Sequence, residues 1–216
     1  DLSVYSKENP YYLNSIIGPH SGRIKDGVYT YNGKTVELET NDRGNHLHGG
    51  STGFHTLTFK LRNINNTYVS LIAQDEENAC DVGVTFSLDE RQVNIEFDVL
   101  SHKEQVINMT QHTYFNLSQE DTIENHEIQV LADRYSILDD SGVPERLEPV
   151  SGPFDLKEMS VLKDKMAMTH PQFDISGNID HVFEVKEHGV RLISKKAGIG
   201  VDVNSDRDYV VVYTGN

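Results

Sequence analysis

The feature that most constrains this chain is a hydrophobic period of two. Val93, Ile95, Phe97 and Val99 alternate with Asn94, Glu96 and Asp98. Successive side chains on a strand point to opposite faces, so this alternation gives one apolar face and one wet face. Val82, Val84, Phe86 and Leu88 repeat the pattern just upstream, and the polar Asp89-Glu90-Arg91-Gln92 between them reads as a hairpin loop. Leu57 with Phe59 and Leu61, Val69 with Leu71 and Ala73, Ile128 with Val130, and Ile199 with Val201 and Val203 predict further strands. Asn32-Gly33 separates Tyr29-Thr30-Tyr31 from Thr35-Val36-Glu37-Leu38. An Asn-Gly pair tolerates the positive φ angles of a type I′ turn, so a hairpin is expected there. Only Phe154 to Met168 has helical character. Many short strands with few helices imply an all-β chain of antiparallel sheets packed face to face. No repeat or linker divides the 216 residues, and a sandwich of this size is routinely one domain.

Composition narrows the partners. With 19 basic and 34 acidic residues the formal charge is −15. A phosphate-binding surface needs local basic clusters, and the sequence has none, so no nucleic-acid partner is expected. A neutral or cationic small molecule suits this balance. Cys80 is the only cysteine, so no internal disulfide can form, which fits a reducing cytoplasm. No apolar run approaches the ~20 residues that span a bilayer, and no signal segment opens the chain, so no membrane association is expected. Both ends read as trimmed. Asp1 is not a natural start, and Asn216 follows directly on the apolar Val210-Val211-Val212-Tyr213, which leads us to expect part of a longer protein.

Three clusters break the alternation: Gly44-Asn45-His46-Leu47-His48-Gly49-Gly50, Asn108 to Leu117 around His112, and Gly177-Asn178-Ile179-Asp180-His181 at the head of an apolar strand. Glycines beside the first pair of imidazoles let backbone and ligand approach closely. On a strand, His46 and His48 would face the same side, a spacing that also suits a metal. That reading needs further ligands, and the nearest downstream carboxylates, Asp75 and Glu76, lie in a loop-like stretch. Single histidines among strands are mostly hydrogen-bonded structural residues; His20, His55, His102, His126, His170 and His188 are read so, and Asp180 alone could cap a turn.

In order along the chain stand Gly22-Arg23-Ile24, Asn32-Gly33, Asn45-His46-Leu47-His48-Gly49-Gly50, Gln111-His112-Thr113-Tyr114-Phe115-Asn116-Leu117, Gly142-Val143-Pro144, Asp180-His181 and Tyr213-Thr214-Gly215-Asn216. Together, over Gly18 to Asn216, these motifs resemble the aldose 1-epimerase (galactose mutarotase) family. The resemblance implies a large antiparallel β-sandwich, the galactose mutarotase-like supersandwich, with a sugar site. It also implies an isomerase that interconverts the α and β anomers of a free hexose by acid–base ring opening, without metal or organic cofactor. By resemblance His112 is the general acid, a role that imidazole's ordinary pKa of about 6.5 suits. Arg23, His48, Tyr114 and Asp180 fall where the family holds sugar hydroxyls.

The sequence departs from the family pattern at several points. Gly22 stands in place of an Asn before the Arg, Gln111 in place of an Asn before the acid, and Val211 where many members carry Gln. The family's base, a Glu, lies well beyond the Tyr-Thr-Gly-Asn element, so it is expected past Asn216. Two alternatives keep the fold: a non-catalytic sugar-binding protein, or an enzyme acting on a sugar phosphate or a glycan unit. A phosphate site should show additional basic residues, and only Arg23 and Arg43 are near the motifs.

Overall fold

A computed structural model describes Tyr5 and residues 9–215, without the side chains of residues 186–188. Asp1, Asn216 and the side chain of His188 therefore lie outside the described residues. Sixteen strands, two short α-helices and four 3-10 turns are present among the described residues, and every strand pairing is antiparallel. The fold is all-β, as the alternation requires. The chain forms two compact units, Asp1–Tyr114 and Phe115–Asn216.

The first unit is organised around a four-stranded meander: β6 (Lys60–Ile64), β7 (Tyr68–Asp75), β8 (Cys80–Asp89) and β9 (Gln92–Ser101). Short pairs complete it: β1 (Ile16–Ile17) with β10 (Thr110–Gln111), β2 (Arg23–Ile24) with β5 (His46–Leu47), and β3 (Val28–Tyr31) with β4 (Lys34–Glu37). Its core is Phe54, Cys80 and Val82, with Ile16, Leu57, Phe59, Val99, Ile107 and Met109 packed around them. Each large apolar side chain buried there stabilises by about 1.5–3 kcal/mol.

The Asn32-Gly33 hairpin forms as expected. Tyr31 pairs with Lys34, and φ is 48° at Asn32 and 74° at Gly33, positive at both central positions. The β8–β9 loop is tighter than the polar run suggests. Asp89 pairs with Gln92, leaving a two-residue turn at Glu90-Arg91 that Glu90 closes with φ 51°. The strand expected from Leu57 begins later. Phe54–Thr56 forms a 3-10 turn, Leu57 and Phe59 pack on the Phe54 core, and Leu61 in β6 is 58% exposed.

In the second unit two long strands, β11 (Glu127–Leu138) and β14 (Asp180–Ser194), pair centrally. β12 (Pro144–Pro149) and β13 (Ser160–Val161) pair with β11, while β15 (Ile199–Val203) and β16 (Tyr209–Tyr213) both pair with β14. Tyr135 stacks on Phe154 at 4.2 Å in a core shared with Val130, Leu156, Ile179 and Phe183. The helical expectation over Phe154 to Met168 shrinks to α1, Leu162–Met166, because Leu156 is drawn onto β11, its carbonyl accepting from the Val130 amide at 2.8 Å. A second helix, α2 (Pro171–Ser176), follows. His170 Nδ1 caps it by accepting from the Gln172 amide, and Gly177 ends it at φ 78°. No helix among the described residues is long and apolar enough to cross a membrane.

Candidate active site

In the first unit, the glycine-flanked pair of imidazoles splits at a backbone reversal. β5 ends at Leu47, and His48, Gly49 and Gly50 follow with φ of 55°, 86° and 66°. Strand alternation therefore stops before His48, and the two rings do not share a face. His46 Nδ1 donates to the Glu39 carbonyl at 2.8 Å, and its ring meets His20 edge-on at 5.5 Å. His48 Nδ1 instead accepts the Gly22 amide hydrogen at 3.1 Å. Gly49 permits the turn because a side chain there would collide with the Gly18 carbonyl and lie 2.7 Å from the Gly53 Cα. Asp75 caps a turn, accepting from the Asn78 amide and side chain at 3.0 and 2.7 Å. Among the described residues, no group of three or more His, Cys, Asp or Glu could hold a metal.

His112 stands immediately after β10, whose pairing with β1 sets Ile16 opposite Gln111. Its backbone amide donates to the Ser15 carbonyl at 2.9 Å, and its carbonyl accepts from the Asn14 amide at 2.8 Å. The ring stacks on Tyr114 at 5.1 Å and 28°, and meets His48 edge-on at 5.4 Å. Tyr114 Oη donates to the Tyr11 carbonyl at 3.0 Å. Arg23, opposite Leu47 across β2–β5, donates from Nε to Asp42 Oδ2 at 2.7 Å, which fixes the plane of its guanidinium. Thus four of the expected site residues, Arg23, His48, His112 and Tyr114, are gathered in one unit from three separate stretches of sequence.

Two further residues join them: Tyr12, which no motif marks, and His55, which the sequence reads as structural. The Tyr12 ring is edge-on to His48 at 5.0 Å and to His55 at 4.9 Å, and tilted toward His112 at 6.1 Å. Nothing in a strand pattern marks Tyr12, since its place depends on a left-handed backbone with φ 54°. His55 follows a Gly-Phe step and carries no signal of its own.

The two central imidazoles differ electrically. Because Gly22 N–H occupies Nδ1 of His48, the neutral ring must carry its hydrogen on Nε2, and protonating it would break that bond. Burial drives the His48 pKa down to about 3, with His112, Arg23 and His55 adding to the fall and Asp42 opposing it. His48 is thus a fixed neutral donor at Nε2. Burial also lowers the His112 pKa, opposed by a hydrogen bond to its own backbone. The group is suited to hydrogen bonding and proton transfer on a neutral, hydroxyl-bearing ligand.

Asp180 lies in the second unit, half-buried at the start of β14 and directly across from Tyr213 on β16. Its amide donates to Nδ1 of His181 at 3.0 Å. The Ile179 carbonyl accepts from both the amide and Oγ1 of Thr214, at 3.0 and 3.1 Å. The Asp-His and Tyr-Thr-Gly motifs, over 30 residues apart in sequence, are therefore one local structure.

Comparison with known proteins agrees with the motifs. The sequence profile of the family described as Aldose 1-epimerase matches residues 1–216. An aldose 1-epimerase from Escherichia coli (strain K12) is 31% identical over 188 residues, covering 82% of this chain and 54% of that protein. A maltose epimerase from Levilactobacillus brevis is 29% identical over 231 residues, covering 100% of this chain and 68% of that protein. The crystal structure of galactose 1-epimerase from Lactobacillus acidophilus NCFM superposes with a TM-score of 0.86 at 22% identity, covering 99% of this chain and 66% of that one, a likeness of fold. The chain spans about half the length of the Escherichia coli relative.

Proposed function

This chain belongs to the aldose 1-epimerase family, and on that premise we propose that it is an isomerase interconverting the α and β anomers of a free aldohexose. In this reading His112 is the general acid, and Arg23, His48, Tyr114 and Asp180 bind sugar hydroxyls. Support comes chiefly from one observation: His112 is held between an imidazole fixed as a neutral donor and a stacked phenol ring.

Ring opening requires that a base take the C1 hydroxyl proton while an acid protonates the ring oxygen. The C1–O5 bond then breaks and the C1 carbonyl forms; rotation about C1–C2 and closure from the other face give the other anomer. Protonated His112, made a stronger acid by its burial, gives the proton to O5 and recovers it on closure. His48 donates from Nε2 to a sugar oxygen without taking part in the proton balance. The base is assigned to none of these five residues. Only protons pass between protein and sugar, and no atom changes its oxidation state overall, so the reading calls for no metal and no organic cofactor. The buried free thiol of Cys80 suits a cytoplasmic setting.

Polarimetry on freshly dissolved α-glucose or α-galactose, beside a calorimetric binding titration, tests the reading. His112→Ala should slow mutarotation about 10²–10⁴-fold, while binding weakens by only about 0.5–1.5 kcal/mol. Equal losses would make His112 a binding residue. Intact sugar binding without mutarotation by the unaltered protein would favour a non-catalytic sugar-binding protein.

One observation favours a larger substrate as a second reading. At Gly22, whose amide donates to His48 Nδ1, a Cβ would meet nothing within 4 Å, where the family pattern has Asn. The site thus lacks one side chain at that point, and one relative is named a maltose epimerase. Comparing α-glucose with α-maltose by polarimetry separates the two readings.

A further inference from the structure

We propose that the segment Tyr11 to Ser15 is a strap that positions His112, with Asn14 and Tyr12 as its two positioning residues. The inference rests on the reading of His112 as the acid. Each residue from Gln111 to Tyr114 is tied to this segment. Asn14 Oδ1 accepts from Gln111 Nε2 at 2.8 Å and from Thr113 Oγ1 at 3.3 Å, so one side-chain oxygen grips the residues on both sides of His112. The Asn14 amide and the Ser15 carbonyl hold the His112 backbone itself, and the Tyr11 carbonyl holds Tyr114 Oη.

The strap is itself braced. Asn9 Oδ1 accepts from the Leu13 amide at 2.8 Å, Asn9 Nδ2 donates to the Leu13 carbonyl at 3.0 Å, and the Ser15 amide donates to the Tyr12 carbonyl at 3.0 Å. Tyr12 and Asn14 both adopt left-handed backbone, φ 54° and 56°, a conformation that costs free energy for any residue other than glycine and persists only where surroundings enforce it. Here it turns the Tyr12 ring into the space among His48, His55 and His112. The ring displaces water from all three imidazoles, which is consistent with burial being the first cause of the lowered pKa at each. Among the described residues, the titratable and charged groups facing this cluster are His48, His55, Tyr114, Arg23, Asp42 and Glu39.

The test follows the His112 ring by NMR titration and the pH dependence of mutarotation together. Tyr12→Ala should raise the His112 pKa toward the ordinary value of about 6.5 and move the limb of the rate profile with it. Tyr12→Phe, which keeps the ring, should leave both in place. Asn14→Ala should lower kcat by about 10- to 100-fold with KM changed by less than about twofold. Should Tyr12→Ala fail to fold, Tyr12→Asn, whose short polar side chain admits water and tolerates the left-handed backbone, carries the same expectation. A His112 titration in folded Tyr12→Ala that superimposes on the unaltered protein would overturn the inference, as would an Asn14→Ala effect confined to KM. The NMR readout needs no turnover: a His112 shift in a protein without mutarotation supports the strap and sinks only the assignment of His112 as acid.

Discussion

His181 offers a sharp test of the electrostatics because its surroundings leave one protonation state available. The side chain is 1% exposed. Its Nδ1 accepts the Asp180 amide hydrogen, so the neutral ring carries hydrogen on Nε2 and donates to Gln172 Oε1 at 3.3 Å. Gln172 in turn brackets Leu138, accepting from its amide at 2.6 Å and donating to its carbonyl at 3.2 Å. A second proton on His181 would break the Asp180 bond and place a charge in this network. Burial accordingly lowers its pKa to about 4, with His170 adding. A folded pKa below the unfolded 6.5 means that the unfolded chain binds the proton first as pH falls. The stabilisation from neutral His181 is complete above about pH 6.5 and is lost between there and about pH 4. That gap is about 2.5 pH units at ~1.4 kcal/mol each, or on the order of 3 to 4 kcal/mol in all. Urea denaturation followed by far-UV circular dichroism at about pH 7 and about pH 4.5 samples most of it. The unaltered protein should lose at least ~2 kcal/mol from this group. His181→Gln is expected to start less stable but to lose correspondingly less across the interval. An identical pH loss in both proteins would refute the argument, whatever the variant's absolute stability.

Three further outcomes are expected. Gly49→Ala should destabilise the first unit by about 2 kcal/mol or more, measured by the same denaturation, because the left-handed backbone and the Gly18 carbonyl both oppose a Cβ. Phe154→Ala, which removes a ring with no exposure stacked on Tyr135, should cost about 3–5 kcal/mol. Asp180→Asn should weaken sugar binding by about 0.5–1.5 kcal/mol and slow mutarotation only in proportion; a rate loss of about 10²-fold or more with unchanged binding would make Asp180 the base.

The sequence was most legible where local chemistry decides conformation. Asn32-Gly33 is a hairpin because few other pairs accept two positive φ angles, and β8 and β9 form where their alternation predicts strands, although Leu88, Val93 and Ile95 on the apolar face are exposed. It was least legible where a distant contact overrides the pattern. Leu57 and Phe59 alternate like strand residues, yet the Phe54 core recruits them ahead of β6. The two residues His46 and His48 look like a same-face pair until a backbone reversal, which no side chain announces, sends them to different partners. Tyr12 was hidden for the same reason, its value lying in a backbone angle and in rings that are about 36 to 100 positions away in the chain. α2 was readable in principle, since Pro171 opens it and Gly177 closes it.

β14 meets its two partners on one side at separate addresses: β16 along Asp180–Glu184 and β15 along Val190–Ser194. The connection between those partners, residues 204–207, carries no Cα pairing of either ladder, the β16 ladder being extended by the Asp208 carbonyl, which accepts from the Val185 amide at 2.8 Å. It is thus a natural place for length to drift among relatives, or for a tag or reporter to be inserted, while Asp180 stays anchored opposite Tyr213. Shortening β14 itself by one residue between its two addresses would instead flip the faces of everything beyond the cut. Variation in this unit should therefore accumulate in the connector and spare the strand.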